Sequence, residues 1–252
     1  MLHVVTDGRE GGPRVVLVHG FTQTLRSWTA VAPGLAAHRE VVSVDLPGHG
    51  GSSDVRLGFV EAASAVGQAG GRASYLGYSL GGRLCLRLAL DHPGLVDALV
   101  LVGASPGLGD PAERAERRRG DESLATQIET GGTSAFVDQW LRQPMFAHLQ
   151  PSPADVAARR ANSPGGLAAA LRHLGTGAQE PLWDRLGELT MPVLLVVGDR
   201  DAKFGAVAER MASAIPKPSL VRIPGAGHAA HLERPHEWTE TVTAFLDDHH
   251  AS

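Results

Sequence analysis

Several things are scarce in this chain, and each shortage closes off a class of answer. Its 252 residues include a single cysteine, Cys85, so there is neither an internal disulfide framework nor a cysteine-built zinc site. Cys85 sits in Leu84-Cys85-Leu86, the setting of an inert buried thiol. No run approaches the roughly 18 to 20 consecutive apolar residues of a membrane-spanning helix. The first twelve residues have neither the basic nor the apolar region of a secretory signal, and a cytoplasmic location is the expectation. Net charge is scarce too: 23 Lys and Arg against 27 Asp and Glu leave −4. Such a chain has no global field for nucleic acid or an anionic membrane, and any anion binding must be local.

Apolar residues, by contrast, make up 43% of the chain, enough to bury a sizeable core in one domain with an insertion. Short apolar, β-branched runs bounded by turn residues occur at 14–18, 41–44, 73–76, 98–102, 192–197 and 219–223. They suit buried parallel strands. Helical patterns lie around 27–37, 59–67, 80–92, 206–214 and 237–247, the second weakened by Gly67, Gly70 and Gly71. Strand-helix alternation predicts a doubly wound, mostly parallel sheet flanked by helices. Between residues 105 and 184 the alternation stops, and helical patterns at 112–119, 126–140, 154–161 and 166–174 are broken by Pro144, Pro151, Pro153 and Pro164. We therefore expect a core of residues 1–104 and 185–252, with an all-helical cap of residues 105–184 over the strand ends, where open α/β sheets bind ligands.

Gly77-Tyr78-Ser79-Leu80-Gly81 stands where one strand pattern ends and a helix begins. In a G-x-S-x-G turn the serine occupies a strained bend that small neighbours allow to close, leaving its hydroxyl exposed. In a chain with 31 glycines the pattern alone is weak, and its context carries it. After the strand at 14–18 comes His19-Gly20-Phe21, whose Phe21 N–H can join the Leu80 N–H as an oxyanion hole; His19 itself reads as structural. Gly198-Asp199-Arg200-Asp201 follows the strand at 192–197, and Gly227-His228 follows the one at 219–223. Serine, acid and histidine thus come in the order of a strand-end triad. Ser79 would react, His228 would take its proton and Asp201 would fix the imidazole, with Asp199 a turn residue. Asp45-Leu46-Pro47-Gly48-His49-Gly50-Gly51-Ser52 is a tight glycine turn to which no chemistry is assigned. Together these motifs resemble the α/β-hydrolase superfamily over essentially the whole chain.

A triad does not say what is transformed. Arg83, one helical turn beyond Ser79, would be costly to bury unless it meets an anion. Arg114, Arg117, Arg118, Arg119, Arg159 and Arg160 follow in the cap, and spacing alone does not choose among them. They favour a substrate bearing carboxylates. His19-Gly20-Phe21, Gly77-Tyr78-Ser79-Leu80-Gly81-Gly82-Arg83, Ser105-Pro106-Gly107-Leu108, Gln143-Pro144-Met145-Phe146, Asp201-Ala202-Lys203-Phe204 and Ala226-Gly227-His228-Ala229-Ala230-His231 resemble 2-succinyl-6-hydroxy-2,4-cyclohexadiene-1-carboxylate synthases of menaquinone biosynthesis. The resemblance implies a lyase that removes pyruvate from an enolpyruvyl cyclohexene substrate with three carboxylates and needs no cofactor and no metal. It implies Ser79, Asp201 and His228 as the triad and Arg83 as a carboxylate ligand. Arg117, Trp140 and Arg160 match cap positions of the family, with Arg159 adjacent to the last, and Tyr78 and Lys203 are candidates for the pocket wall. Two chemistries share these residues: elimination with Ser79 as a base on a ring C–H, or hydrolysis of carboxylate-bearing esters through a covalent serine intermediate.

Overall fold

Each apolar run becomes a strand, and one further strand precedes them. The computed structural model describes residues 1–249. In chain order it has β1 (Val4–Gly8), β2 (Arg14–Val18), a 3₁₀ turn at Leu25–Trp28, α1 (Ala32–Ala36), β3 (Glu40–Val44), α2 (Phe59–Gly70), β4 (Ala73–Tyr78), α3 (Leu80–Asp91) and β5 (Val96–Val102). Four helices follow without a strand among them: α4 (Pro111–Gly131), α5 (Thr133–Trp140), α6 (Pro153–Arg160) and α7 (Pro164–Leu174). The chain then returns through a 3₁₀ segment at Trp183–Glu188 to β6 (Val193–Gly198), α8 (Ala202–Ala212), β7 (Pro218–Ile223), α9 (Ala230–Glu233) and α10 (Pro235–Asp248). The sheet runs β1-β3-β2-β4-β5-β6-β7, with β1 antiparallel to β3 and every other pair parallel. Among the described residues no helix is long and apolar enough to cross a membrane.

Side chains alternate between the faces of the sheet, and β2 shows the consequence. Val16 and Val18 join a cluster with Val66 of α2, Leu84 and Leu88 of α3 and Met211 of α8. Val15 and Leu17 point the other way, to Leu35 of α1 and Trp238, Val242 and Leu246 of α10. Burial on both faces explains the continuous apolar runs. A third, smaller cluster of Ala125, Ile128, Phe136, Leu167, Ala168 and Leu171 holds α4, α5 and α7 together.

Several expectations need adjusting. The first helix is broken into the turn at Leu25–Trp28 and the short α1, since Pro33 can open a helix but not continue one. The α2 helix forms in spite of its glycines: a Cβ on Gly67 would lie 2.6 Å from Leu88 Cδ1, and one on Gly70 2.5 Å from Val16 Cγ2. The residues that weaken the helix let it pack closely on α3 and β2. Two separate helices expected over 112–119 and 126–140 are instead a 21-residue α4 and then α5, divided at Gly132 with φ +80°.

Candidate active site

The tightest piece of backbone joins β4 to α3. Ser79 has φ 49° and ψ −107°, a conformation that costs a non-glycine residue about 1–3 kcal/mol and persists only where its surroundings enforce it. Here the Ser79 N–H donates to Val102 O of β5 at 2.9 Å, and Ser79 O accepts from Arg83 N at 3.0 Å. The flanking glycines are sterically required. A Cβ on Gly77 would lie 2.5 Å from the Gly82 backbone, and one on Gly81 would lie 2.1 Å from Val18 O. The first turn of α3 is thus pressed onto the end of β2, and Leu80, whose N–H is one of the unsatisfied donors of a helix start, lines the same cavity as Phe21.

The loop carrying Phe21 is held from three sides. Gln23 Oε1 accepts from Gly20 N at 2.8 Å. Thr22, at φ 68°, accepts at Oγ1 from Arg159 Nη1 at 2.7 Å and at its carbonyl from Asn162 Nδ2 at 2.8 Å. Asn162 Oδ1 in turn accepts from Gly50 N at 2.8 Å. The Asp45–Ser52 turn has its own brace, Asp45, whose carboxylate accepts from Leu25 N and Gly51 N, both at 2.8 Å. None of Thr22, Gln23 or Asn162 was recognised from the sequence, because isolated polar residues in loops carry no pattern.

His228 Nδ1 and Asp201 Oδ2 lie 2.8 Å apart, and Asp201 Oδ1 accepts from Phe204 N at 3.1 Å, so the carboxylate also caps α8. The imidazole is buried, with the rings of Phe204, Tyr78 and Phe146 at centroid distances of 4.4, 5.3 and 6.2 Å. Gly103, at φ +54°, makes room for it: a Cβ there would stand 2.9 Å from His228 Cε1. His228 Nε2 has no hydrogen-bond partner among the described residues, so it is not engaged with Ser79 Oγ. Asp199 Oδ1 accepts from Gly225 N at 2.8 Å, the turn role expected of it.

Ser79 opens into a cavity of about 460 Å³ whose wall includes Phe21, Leu80, Arg83, Arg117, Trp140, Lys203 and Phe204, with Trp183 and Arg210 beside them. Arg83 is 8% exposed. Its Nη1 donates to Gln179 Oε1 and its Nη2 to Leu174 O, both at 2.8 Å, and its guanidinium lies 5.5 Å from the Phe59 ring. Burial, reinforced by the nearby Arg117 and opposed by Asp121, pushes its pKa down to about 9. Arg117 reaches the cavity but is tied through Nε to Asp121 Oδ1 at 2.7 Å. Trp140 packs on Phe21 and Phe136, at 5.1 and 5.7 Å, with its Nε1 buried and without a partner among the described residues. Lys203 is exposed at the wall, its ammonium 5.7 Å from the Phe204 ring. Arg210, not singled out in the sequence, lies over Trp183 at 3.8 Å.

Two of the candidate residues do not reach the cavity wall. Arg160 points to the surface, paired with Asp138 at 2.5 Å and absent from the cavity wall; adjacent helix positions face about 100° apart. Its neighbour Arg159 turns inward instead, to Asp155 at 2.7 Å and to Thr22. Tyr78 is buried behind His228, its ring 4.5 Å from that of His231, and forms no part of the wall. Tyr78 is the last residue of β4, whereas Ser79 lies beyond the strand on the strained elbow that turns its side chain to the cavity.

Three other histidines are fully buried and held neutral by desolvation: His19 with its pKa lowered to about 4, and His49 and His231 to about 3. His19 Nε2 accepts from Leu46 N at 3.0 Å, which makes it a brace between two loops, in line with a structural role.

A serine on a strand-to-helix elbow, with its acid and histidine at the ends of later parallel strands, is the ground plan of the α/β hydrolases, and a profile described as the alpha/beta hydrolase fold matches residues 13–235. The chain is 34% identical to an Escherichia coli O1:K1 / APEC protein named 2-succinyl-6-hydroxy-2,4-cyclohexadiene-1-carboxylate synthase, over 90% of this chain and 91% of that one. It is also 34% identical to a Bacillus subtilis (strain 168) protein given that name provisionally, over 96% and 93% of the two chains. The structure of MenH from S. aureus superposes with a TM-score of 0.90 at 29% identity, covering 99% of both chains. The chain belongs to the 2-succinyl-6-hydroxy-2,4-cyclohexadiene-1-carboxylate synthase family of α/β-hydrolase-fold proteins.

Proposed function

We propose that this protein is a cofactor-independent lyase that eliminates pyruvate from 2-succinyl-5-enolpyruvyl-6-hydroxy-3-cyclohexene-1-carboxylate, a cytoplasmic step of menaquinone biosynthesis. The observation that carries the reading is Arg83: a buried guanidinium on the wall of the Ser79 cavity whose direct partners are neutral. A charge in that position has the most to gain from a ligand that brings its own carboxylate.

In the reaction, the Ser79 side chain rotates to bring Oγ into hydrogen-bond reach of His228 Nε2, and Oγ then removes a proton from a ring C–H while passing its own proton to Nε2. Asp201, on His228 Nδ1, fixes the tautomer and stabilises the imidazolium. The electrons of the C–H bond move into the ring, the C–O bond to the enolpyruvyl group breaks, and the enolate of pyruvate departs and takes up a proton, the one left on the His228 imidazolium being given up directly or through solvent to restore the neutral base. The N–H groups of Phe21 and Leu80 stabilise the negative charge that builds on a carbonyl oxygen. Arg83 holds a carboxylate, Trp140 supplies an aromatic wall, and Arg117 and Lys203 add positive charge around a polycarboxylate substrate. Arg160 and Tyr78 have no direct part.

Incubating the enzyme with the enolpyruvyl substrate and following pyruvate release tests the assignment. Release faster than spontaneous breakdown is expected, with kcat falling about 10²–10⁴-fold in Ser79→Ala and no covalent adduct on Ser79 by intact-protein mass spectrometry. No acceleration, together with efficient hydrolysis of carboxylate-bearing esters through an acyl-serine, would replace the lyase with an ester hydrolase.

A further inference from the structure

A buried arginine ordinarily meets a carboxylate. Arg159 does so in this molecule, through Asp155. Arg83 does not: its fork is filled by the side-chain amide of Gln179 and the main-chain carbonyl of Leu174, both at 2.8 Å. The carboxylate next in line, Asp121, is already taken by Arg117 Nε at 2.7 Å and lies against Gly175 and Gly177, where it accepts from Gly177 N at 3.4 Å. Gln179 is fully buried, and its own Nε2 has no partner among the described residues. Its amide is thus kept in the interior with half of its hydrogen-bonding capacity unused. A glutamate of nearly the same shape would satisfy the arginine more completely, and for stability alone the amide is the poorer choice.

Resting on the reading of Arg83 as a carboxylate ligand, we propose that Gln179 is a positioning residue that aims the Arg83 fork while leaving its charge uncompensated. The amide oxygen accepts from Nη1 and fixes the guanidinium plane. Being neutral, it leaves the positive charge to a substrate carboxylate in the cavity beyond. Gly107, on the cavity wall, is shaped around it: an added Cβ there would come within 3.1 Å of Gln179 Nε2.

The test is Gln179→Glu, which supplies the missing carboxylate in place. KM for the enolpyruvyl substrate is expected to rise about tenfold or more, kcat to fall by a smaller factor, and the melting temperature to hold or increase. Succinate binding measured by calorimetry should weaken in parallel. Gln179→Met, which keeps the volume and removes the acceptor, should raise KM with the arginine's charge intact, and it is the variant to read should Gln179→Glu fail to fold. If KM and succinate affinity stay within twofold of wild type in the folded variant, Gln179 is structural only and the proposal falls. Wild-type enzyme that releases no pyruvate would instead overturn the proposed reaction, and the succinate comparison would still decide the role of Gln179.

Discussion

Arg83 and Arg159 are both buried, yet the regions around them solve the problem of an interior charge in opposite ways. Around Arg159, on α6, the charge is cancelled on the spot by Asp155 one turn earlier, and Nη1 braces Thr22 in the loop that carries Phe21. Around Arg83, on α3, only neutral acceptors are in reach. The first arrangement is complete without a ligand and belongs to the scaffold. The second is incomplete, and its incompleteness faces the cavity beside Ser79. Both are buried arginines, so the function of an interior arginine is read from the charge of its partners.

Removing each arginine should therefore fail differently. Arg159→Met leaves Asp155 partly buried and unpaired, and since loss of one partner of a fully buried pair costs about 3–5 kcal/mol, the loss here should approach the lower end of that range, to be read from urea unfolding. Replacing both residues, in Arg159→Met/Asp155→Leu, should recover most of that stability. The recovered protein should still turn over slowly, since Thr22 has lost its brace. Arg83→Met leaves two neutral acceptors behind and should cost less stability than Arg159→Met, while kcat/KM falls about 10- to 150-fold as a charge-assisted contact of about 1.5–3 kcal/mol is lost. Equal losses of stability in the two variants, with kcat/KM unchanged in Arg83→Met, would erase the distinction.

A last test extends the contrast to a charge that titration can switch. His231 is buried among Trp28, Tyr78 and Trp238, and neither of its ring nitrogens has a partner among the described residues. Its folded pKa of about 3 lies below the ordinary 6.5. The folded state therefore binds fewer protons in that window, and stability is complete above about pH 6.5 and falls with decreasing pH by up to about 1.4 kcal/mol per pH unit. His231→Phe, which places no chargeable group there, should flatten the acid limb of a Tm-against-pH curve by that amount. An unchanged limb would mean that protons enter elsewhere.

The sequence was most informative where burial acts on whole segments. Five of the six strands that were legible are covered on both faces, where a parallel sheet demands unbroken apolar runs, and the sixth, β7, kept an apolar run in spite of a largely exposed position. The strand β1, exposed along its whole length, carries no such mark. Ser79, Asp201 and His228 could be picked out because each follows a strand, and Arg83 because it lies one turn from the elbow. The cap arginines were not resolvable in this way. Arg159 and Arg160 are neighbours in the chain, and only the orientation of α6 sends one to Thr22 and the other to Asp138. Gln179 lies in Gly175-Thr176-Gly177-Ala178-Gln179, and no periodicity distinguishes a polar residue there from an ordinary loop.

The space reserved by Gly103 bears on how this protein can change. At φ +54°, with His228 Cε1 2.9 Å from where a side chain would begin, the position tolerates neither the backbone strain of another residue nor its volume. The neighbouring β5 residues are apolar core, where one aliphatic side chain can often replace another of similar volume. In a library of single substitutions, position 103 should stand out among its neighbours: variants that still fold would have a displaced imidazole and little turnover. Drift in the sheet can proceed residue by residue, but the histidine's seat offers no such intermediate steps.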